Sequence, residues 1–278
     1  MKDPHPPRKG AATSPKGRGD DDLLPLPLGE GRGEGRPRAI VTGGAKGIGL
    51  AIARRLAADG AAVAIIGRDA AALERAAAEL GARHAVADVT DRDALRAAFD
   101  ALGPCDILVN NAGGALSKPF LRHKARDFQA MFAVNLFSAV TACQAVLPGM
   151  RERGFGRIVN VASTAGLKGY PYVAAYVAAK HALIGLTRAL AIETVKDGIT
   201  VNAVCPGFAD TEMTARSVAT ITAASGRSAD EARALLAKSN PAGRLIAPEE
   251  VADAVAFLCR REAGAMTGQA IAVACGEV

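Results

Sequence analysis

Short runs of Val, Ile and Ala alternate along this chain with Ala-rich segments whose apolar residues recur at helical spacing. Seven such runs, near residues 39–42, 62–66, 84–87, 107–110, 157–161, 200–204 and 270–273, predict strands. They lack the apolar/polar alternation of a half-solvated sheet and suit strands covered on both faces. Between them, residues 48–59, 70–80, 91–102, 127–153, 172–196 and 248–261 predict helices. Strand and helix in strict alternation imply one α/β domain, a doubly wound parallel sheet of about seven strands with helices on both faces. Ligands of such sheets bind at the carboxyl ends of the strands, so the residues that follow each run carry the functional information.

The pattern is absent from residues 1 to about 38, which are rich in Pro, Gly, Arg, Lys and Asp and have no apolar period. Such a segment buries too little to offset its ordering entropy, which predicts a disordered tail over 1–37 and a folded domain over 38–278. The apolar stretch at 23–28 is interrupted by Pro25 and Pro27, unlike the continuous core of a secretory signal. The Gly-Glu-Gly-Arg repeat at 29–36 reads as low-complexity sequence upstream of the domain, and a start assigned too early is the expectation it raises. The tail carries eight basic and six acidic residues, so +4 of the net charge of +6 remains on the folded part. With aromatic residues at 4% and no basic-aromatic interleaving, nucleic acid is not an expected partner. No uninterrupted apolar run approaches the roughly 20 residues of a membrane span, and none is expected. Five cysteines without CxxC spacing suggest reduced thiols and a cytoplasmic enzyme. His5, His84, His123 and His181 are scattered and offer no metal-ligand spacing.

At the end of the first strand stands Thr42-Gly43-Gly44-Ala45-Lys46-Gly47-Ile48-Gly49, opening a helix. Glycines let backbone approach a pyrophosphate, whose charge meets the free N–H groups of the helix N-terminus. The spacing departs from GxGxxG, yet its strand-to-helix context points to nucleotide binding. The second strand ends Ile66-Gly67-Arg68-Asp69. Gly67 stands where an acidic residue would bond a ribose 2′-hydroxyl, and Arg68 with Lys46 can pair with a 2′-phosphate. This favours NADPH, with NAD still possible; otherwise Arg68 is a solvated charge and Asp69 the N-cap of the next helix. Asp88 and Val89 end the third strand, where they can meet an adenine. Asn110 and Asn111 end the fourth and can either brace their loop or touch cofactor. Asn135 interrupts an apolar helix face and needs a partner there.

The remaining chemistry lies between Ser163 and Lys180. Tyr176 and Lys180, four apart on a helix, project from one face, so that the ammonium favours phenolate and lowers the phenol's pKa. Ser163, on the loop after the fifth strand, can hold a substrate carbonyl against Tyr176.

Taken together these motifs resemble the short-chain dehydrogenase/reductases. Thr42–Gly49 matches that family's TGxxxGIG turn, Asn110–Gly113 its NNAG, Ser163 with Tyr176-x-x-x-Lys180 its active-site set, and Pro206-Gly207 its later loop. The resemblance runs from about Arg38 onward and implies a Rossmann-type fold. It implies that Ser163 positions the carbonyl, that Tyr176 is the general acid, and that Lys180 lowers its pKa and bonds the nicotinamide ribose. Asn135 would anchor a water leading protons to Lys180. Thr42, Gly43, Lys46, Gly47, Ile48, Gly49, Arg68, Asp88, Val89, Asn111, Tyr176, Lys180, Pro206 and Thr211 would contact the cofactor.

Residues 208–245 form a long insertion after the sixth strand, with Met213, Val218, Ile221, Leu235 and Leu236 at amphipathic spacing, and read as a substrate lid. Arg216, Arg227, Arg233, Lys238 and Arg244 lie on it, either as solvated charges or as partners for the phosphates of a thioester carrier. The combination is similar to 3-oxoacyl-thioester reductases and polyketide ketoreductases. It implies reduction of a 3-oxoacyl-CoA or 3-oxoacyl-carrier-protein, the alternatives being another secondary alcohol or cyclic ketone, or a non-catalytic NADPH sensor. Ala178, Ala182, Gly185 and Ala189 share a helix face away from Tyr176, where another helix can approach closely. The family's tetramers suggest a homotetramer.

Overall fold

The computed structural model describes residues 35–278, so most of the expected tail lies outside the described residues. Seven strands run β1 (Arg38–Thr42), β2 (Ala62–Gly67), β3 (Arg83–Val86), β4 (Ile107–Asn110), β5 (Gly156–Val161), β6 (Ile199–Pro206) and β7 (Ala270–Val273). The helices are α1 (Gly47–Ala58), α2 (Ala70–Leu80), α3 (Arg92–Leu102), α4 (Ala125–Phe132), α5 (Ser138–Arg153), α6 (Ala174–Thr194), α7 (Glu212–Ser225), α8 (Ala229–Ala237) and α9 (Pro248–Cys259). All strand pairs are parallel, in the order β3-β2-β1-β4-β5-β6-β7. The chain reverses direction across the sheet between β1 and β4, and the crevice at their carboxyl ends is the binding position of such folds.

The residues of β1 divide between two cores, one on each face of the sheet. From β1, Ala39 and Val41 pack with Ile52, Leu56, Val251 and Val255 of α1 and α9, while Ile40 packs on the other face with Leu95, Phe99, Val146 and Met150 of α3 and α5. Every residue of β4, β5 and β6 is buried. That explains why these strands read as mainly apolar runs without a solvent-facing alternation, their few polar residues being buried as well. Each fully buried Leu or Ile contributes about 1.5–3 kcal/mol.

Most element ends shift by a residue or two from those expected, and three of the shifts have a visible cause. β3 begins one residue earlier than expected, at Arg83, and lies at the sheet edge with most of its residues exposed, so hydrophobicity does not mark it. The helix expected over 127–153 starts at Ala125 and is interrupted by one wide π turn, Ala133–Phe137. The helix expected from residue 172 starts at Ala174, because Tyr172 adopts a left-handed backbone with φ of 66°. The continuous helical run Ala125–Arg153 is by length and composition long and apolar enough to cross a membrane. Here it packs against α3, α6 and β4 as a crossover of the doubly wound sheet.

Candidate active site

Thr42 ends β1, and its hydroxyl accepts from the backbone N–H groups of Asn111 and Ala112, each at 3.1 Å. Asn111 returns its amide N–H to the carbonyl oxygens of Thr42 and Gly43 at 3.0 and 3.1 Å. The loop after β4 thus braces the turn after β1. A Cβ on Gly49 would stand 2.2 Å from the Gly43 carbonyl oxygen, so the turn closes only with glycine there. α1 opens directly afterwards with no side-chain cap and no acidic residue in its first turn. Its N-terminal N–H groups and dipole are left to an external anion, which fits a pyrophosphate. Thr211, at the head of α7, reaches this turn, its Cγ2 lying 3.3 Å from the Cβ position of Gly47.

Lys46 and Arg68 both stand at this end of the sheet, each in loose contact with carboxylates: Lys46 with Asp69 at 3.5 Å and Glu212 at 3.6 Å, Arg68 with Asp88 at 3.5 Å. Asp69 also caps α2, accepting from Ala72 N–H at 3.0 Å. That bond is the first cause of its carboxyl being held below the usual range, ahead of Lys46. Asp88 accepts from the Thr90 N–H and hydroxyl at 2.9 and 2.7 Å. Val89 is buried beneath it. A shallow depression of about 480 Å³ beside Lys46 and Arg75 lies between α1 and α2, away from Ser163, and is not the chemical cleft.

Asn110 does not reach outward. Its amide donates to Asn160 Oδ1 at 2.9 Å, Asn160 donates to the Thr187 hydroxyl at 2.8 Å, and all three side chains are buried. This polar chain ties β4, β5 and α6 together. Asn135 sits in the π turn, with Nδ2 donating to the Gly114 and Met131 carbonyls at 2.9 Å and Oδ1 accepting from Gly114 N–H at 3.2 Å. The extra residue in the turn aims this amide at the loop after β4. Asn135 Oδ1 and Lys180 Nζ both approach Gly113, at 2.7 and 3.6 Å from its Cβ position. The polar partner expected for Asn135 is therefore the cofactor-side loop, next to Lys180.

Ser163 follows β5 directly and its hydroxyl accepts from Ala165 N–H at 3.1 Å. One turn into α6, Lys180 is buried, donates to the Val161 carbonyl at 2.8 Å, and lies 5.8 Å from the centre of the Tyr176 ring. Burial pushes the Lys180 ammonium down to about 8. For Tyr176 burial comes first and raises the phenol, with the Ser163 hydroxyl pulling the other way. The expected lowering of this phenol by the ammonium is not found: burial raises it, and the group that pulls it down is the Ser163 hydroxyl. The phenol is accordingly protonated at neutral pH, as a donor must be. Pro206 ends β6.

Sequence reasoning passed over Lys168, Tyr170 and Glu277. Tyr170 exchanges a hydrogen bond with the Thr164 hydroxyl at 2.7 Å and donates to the Glu277 carboxylate, which Lys168 meets at 3.2 Å. Nothing local in sequence ties residues so far apart. Among the described residues no group of His, Cys, Asp and Glu is arranged to hold a metal ion.

The family model described as short chain dehydrogenase matches residues 37–222. This chain belongs to the short-chain dehydrogenase/reductase family. A putative ketoacyl reductase of Streptomyces coelicolor is 40% identical over 86% of this chain and 95% of its own length. A D-β-hydroxybutyrate dehydrogenase of Cupriavidus necator is 38% identical over 83% and 93%. Among solved structures, a variant of the actinorhodin polyketide ketoreductase with NADPH superposes with a TM-score of 0.84 at 38% identity, covering 87% of this chain and 97% of that one. The family member described here is an NAD(P)-dependent oxidoreductase acting on secondary alcohol or ketone groups.

Proposed function

We propose that this reductase uses NADPH to reduce the carbonyl of a 3-oxoacyl thioester, carried on CoA or an acyl carrier protein, to the 3-hydroxyacyl product. The observation that carries the catalytic assignment is the convergence of Ser163, Tyr176 and buried Lys180 at the carboxyl end of β5, with the glycine turn two strands away, after β1. NADPH supplies the hydride when bound, held by the α1 N-terminus, Thr42, Gly43, Gly47, Ile48, Gly49, Asp88, Val89, Asn111, Pro206 and Thr211. Ser163 and Tyr176 donate hydrogen bonds to the substrate oxygen as negative charge grows there, and Tyr176 delivers the proton. Lys180 supplies positive charge behind the phenol, and Asn135 beside it completes a path for proton replacement. Arg68 and Lys46 are the groups for a 2′-phosphate, each released from its loose carboxylate contacts when the stronger anion arrives.

The thioester is favoured by likeness to the ketoreductases and by the segment 208–245. It holds α7 and α8, with Met213 and Leu235 exposed on it as apolar contacts for an acyl chain. Arg216 and Arg233 pair with Glu212 and Asp210, and Arg244 is held by Glu250, whereas Arg227 and Lys238 have no ion pair among the described residues. The last two are the candidates for a carrier phosphate. The 38% identical hydroxybutyrate dehydrogenase supports a second reading, in which a small 3-hydroxy acid is the substrate. NADPH oxidation with acetoacetyl-CoA, acetoacetate and a cyclic ketone separates these readings. In each case Tyr176→Phe lowers kcat by at least about 10²-fold with NADPH binding intact; near-normal turnover would overturn the assignment. NADPH binding with no turnover of any ketone would instead indicate the sensor. The enzyme is further proposed to be a cytoplasmic homotetramer. α6 leaves Gly185 and Ala189 exposed with Ile192 80% exposed beyond them, and all five cysteines are free thiols. Light scattering tests the assembly.

A further inference from the structure

After β7 the chain turns back over the carboxyl ends of the strands and places a carboxylate, Glu277, inside the wall of the proposed cleft, its side chain 4% exposed. A charge so buried is costly unless paired and hydrogen-bonded. Its partners come from the β5–α6 loop: the Tyr170 hydroxyl donates to Oε1, and the Lys168 ammonium sits 3.2 Å from the same oxygen. Lys168 also donates to the Glu277 backbone carbonyl at 3.0 Å and lies over the Tyr170 ring. Burial and the Glu277 carboxylate both raise the Tyr170 phenol above its ordinary value, keeping its proton in place to be donated. Tyr170 in turn shares a hydrogen bond with the hydroxyl of Thr164, a buried residue adjacent to Ser163. The ring of Tyr170 also meets Phe208, the first residue after the Pro206-Gly207 turn, edge to face at 6.3 Å.

The second carboxylate oxygen faces the lid. Glu277 Oε2 and Asn240 Oδ1 approach the Cβ position of Gly207 at 3.0 and 2.7 Å, and both are buried without a hydrogen-bond partner. The orientation of Asn240 is fixed, because its Nδ2 donates to the carbonyls of Phe208 and Arg244 at 3.1 and 2.6 Å. One side chain therefore binds the β5–α6 loop at Tyr170 and Lys168 and stands beside Gly207, where the lid begins and where Asn240 from its far end also approaches.

We infer that Glu277 is a positioning residue for the active site, holding Tyr170 and Lys168 and, through Tyr170 and Thr164, the turn that fixes the Ser163 hydroxyl. This rests on the catalytic role proposed for Ser163. A small displacement of a substrate-orienting group is enough to cost a large factor in rate, about 10²-fold for 1 Å. Glu277→Ala and Tyr170→Phe each lower kcat/KM for the ketone at least about 10-fold while leaving the NADPH Kd within about twofold, since neither touches the glycine turn. The double variant is no worse than the poorer single one, because both cut the same chain of contacts. Glu277→Gln keeps an acceptor for Tyr170 and turns an N–H toward Asn240 Oδ1, so it restores most of the activity. Unchanged kinetics in Tyr170→Phe, losses that add in the double variant, or an NADPH Kd that weakens in parallel would overturn the inference. If Glu277→Ala does not fold, Tyr170→Phe and Glu277→Gln decide it. Amide exchange provides a readout independent of turnover: Ala165 and Gly166, whose N–H groups bond Ser163, exchange faster in Tyr170→Phe and at the parental rate in Glu277→Gln. Faster exchange without any ketone turnover in the parent protein would leave the positioning role standing and remove the proposed reaction. Unaltered exchange in Tyr170→Phe would remove the positioning role.

Discussion

Lys180 is placed where its charge is useful and expensive. Buried under β5 with a single carbonyl as its hydrogen-bond partner, it has an ammonium pushed down to about 8, while burial moves the neighbouring Tyr176 phenol up. Reduction requires both protons, and the lysine is the first to be lost as pH rises. The value of kcat/KM for NADPH, which reports the free enzyme, is therefore expected to fall through about pH 8, with no second fall until well into the alkaline range. A profile flat to pH 10 would show that the ammonium is not needed. The same shift has a consequence for stability. Because the folded-state value lies below the ordinary 10.5, the unfolded chain binds more protons between about pH 8 and 10.5, and this group's contribution rises with pH there. Chemical denaturation of the parent and Lys180→Met should show the difference between them shifting in the parent's favour across that window. At the other end of the site, Gly49→Ala forces a Cβ to within 2.2 Å of a backbone oxygen. It is expected to abolish NADPH binding by fluorescence titration, since the obstructing atom belongs to the turn itself.

Among elements, the wide turn between α4 and α5 does most to build the site. It carries Asn135 round to face Gly114, where the side chain satisfies both the N–H and the C=O of that residue. Asn135→Ala leaves those groups without their partner. We expect a loss of about 1–3 kcal/mol in urea unfolding and reduced kcat, with Tyr176 and Ser163 untouched; unaltered turnover would remove Asn135 from the proton path. This turn also marks the limit of what the sequence reveals. An apolar face interrupted by one Asn told that a polar partner was required, but the partner lies 21 residues upstream, and nothing in the local pattern marks the irregular turn. β4, β5 and β6 were legible because burial on both faces leaves a mainly apolar signature. β3, an exposed edge strand, carries no such signature, and was located to within a residue, as β1 and β5 were. The Tyr176–Lys180 pair and the glycine turn were legible as candidates because their geometry is local, within one turn of helix or one loop. Glu277 was not, because its partners Tyr170 and Lys168 are more than 100 residues away. The pairing of Asn110 with Asn160 depends likewise on strand order, which spacing alone does not give.

For the molecule as a whole, the proposed cofactor site would join parts of the chain that are otherwise separate: the turn after β1, the ends of β2 and β3, the loop after β4 and the head of α7. A ligand that binds only when all are in place stabilises the entire domain by mass action. At a concentration 100 times its Kd the gain is about 2.7 kcal/mol, or roughly 5–10 °C in Tm for a domain of this size. The choice between NADPH and NADH is then readable as a difference in Tm at equal concentrations. Gly67 contributes no carboxylate, and Arg68 and Lys46 are restrained only by exposed contacts of 3.5–3.6 Å with Asp88, Asp69 and Glu212, which count for little. A 2′-phosphate displacing them gains charge-assisted hydrogen bonds of about 1.5–3 kcal/mol each. NADPH should therefore raise Tm by several degrees more than NADH. In Lys46→Ala/Arg68→Ala, with no positive charge left at either position, the NADPH shift should fall to that of NADH while the NADH shift stays as it was. A parent protein stabilised equally by both cofactors would show that the three carboxylates hold these cations too firmly, or too far away, to select the phosphate.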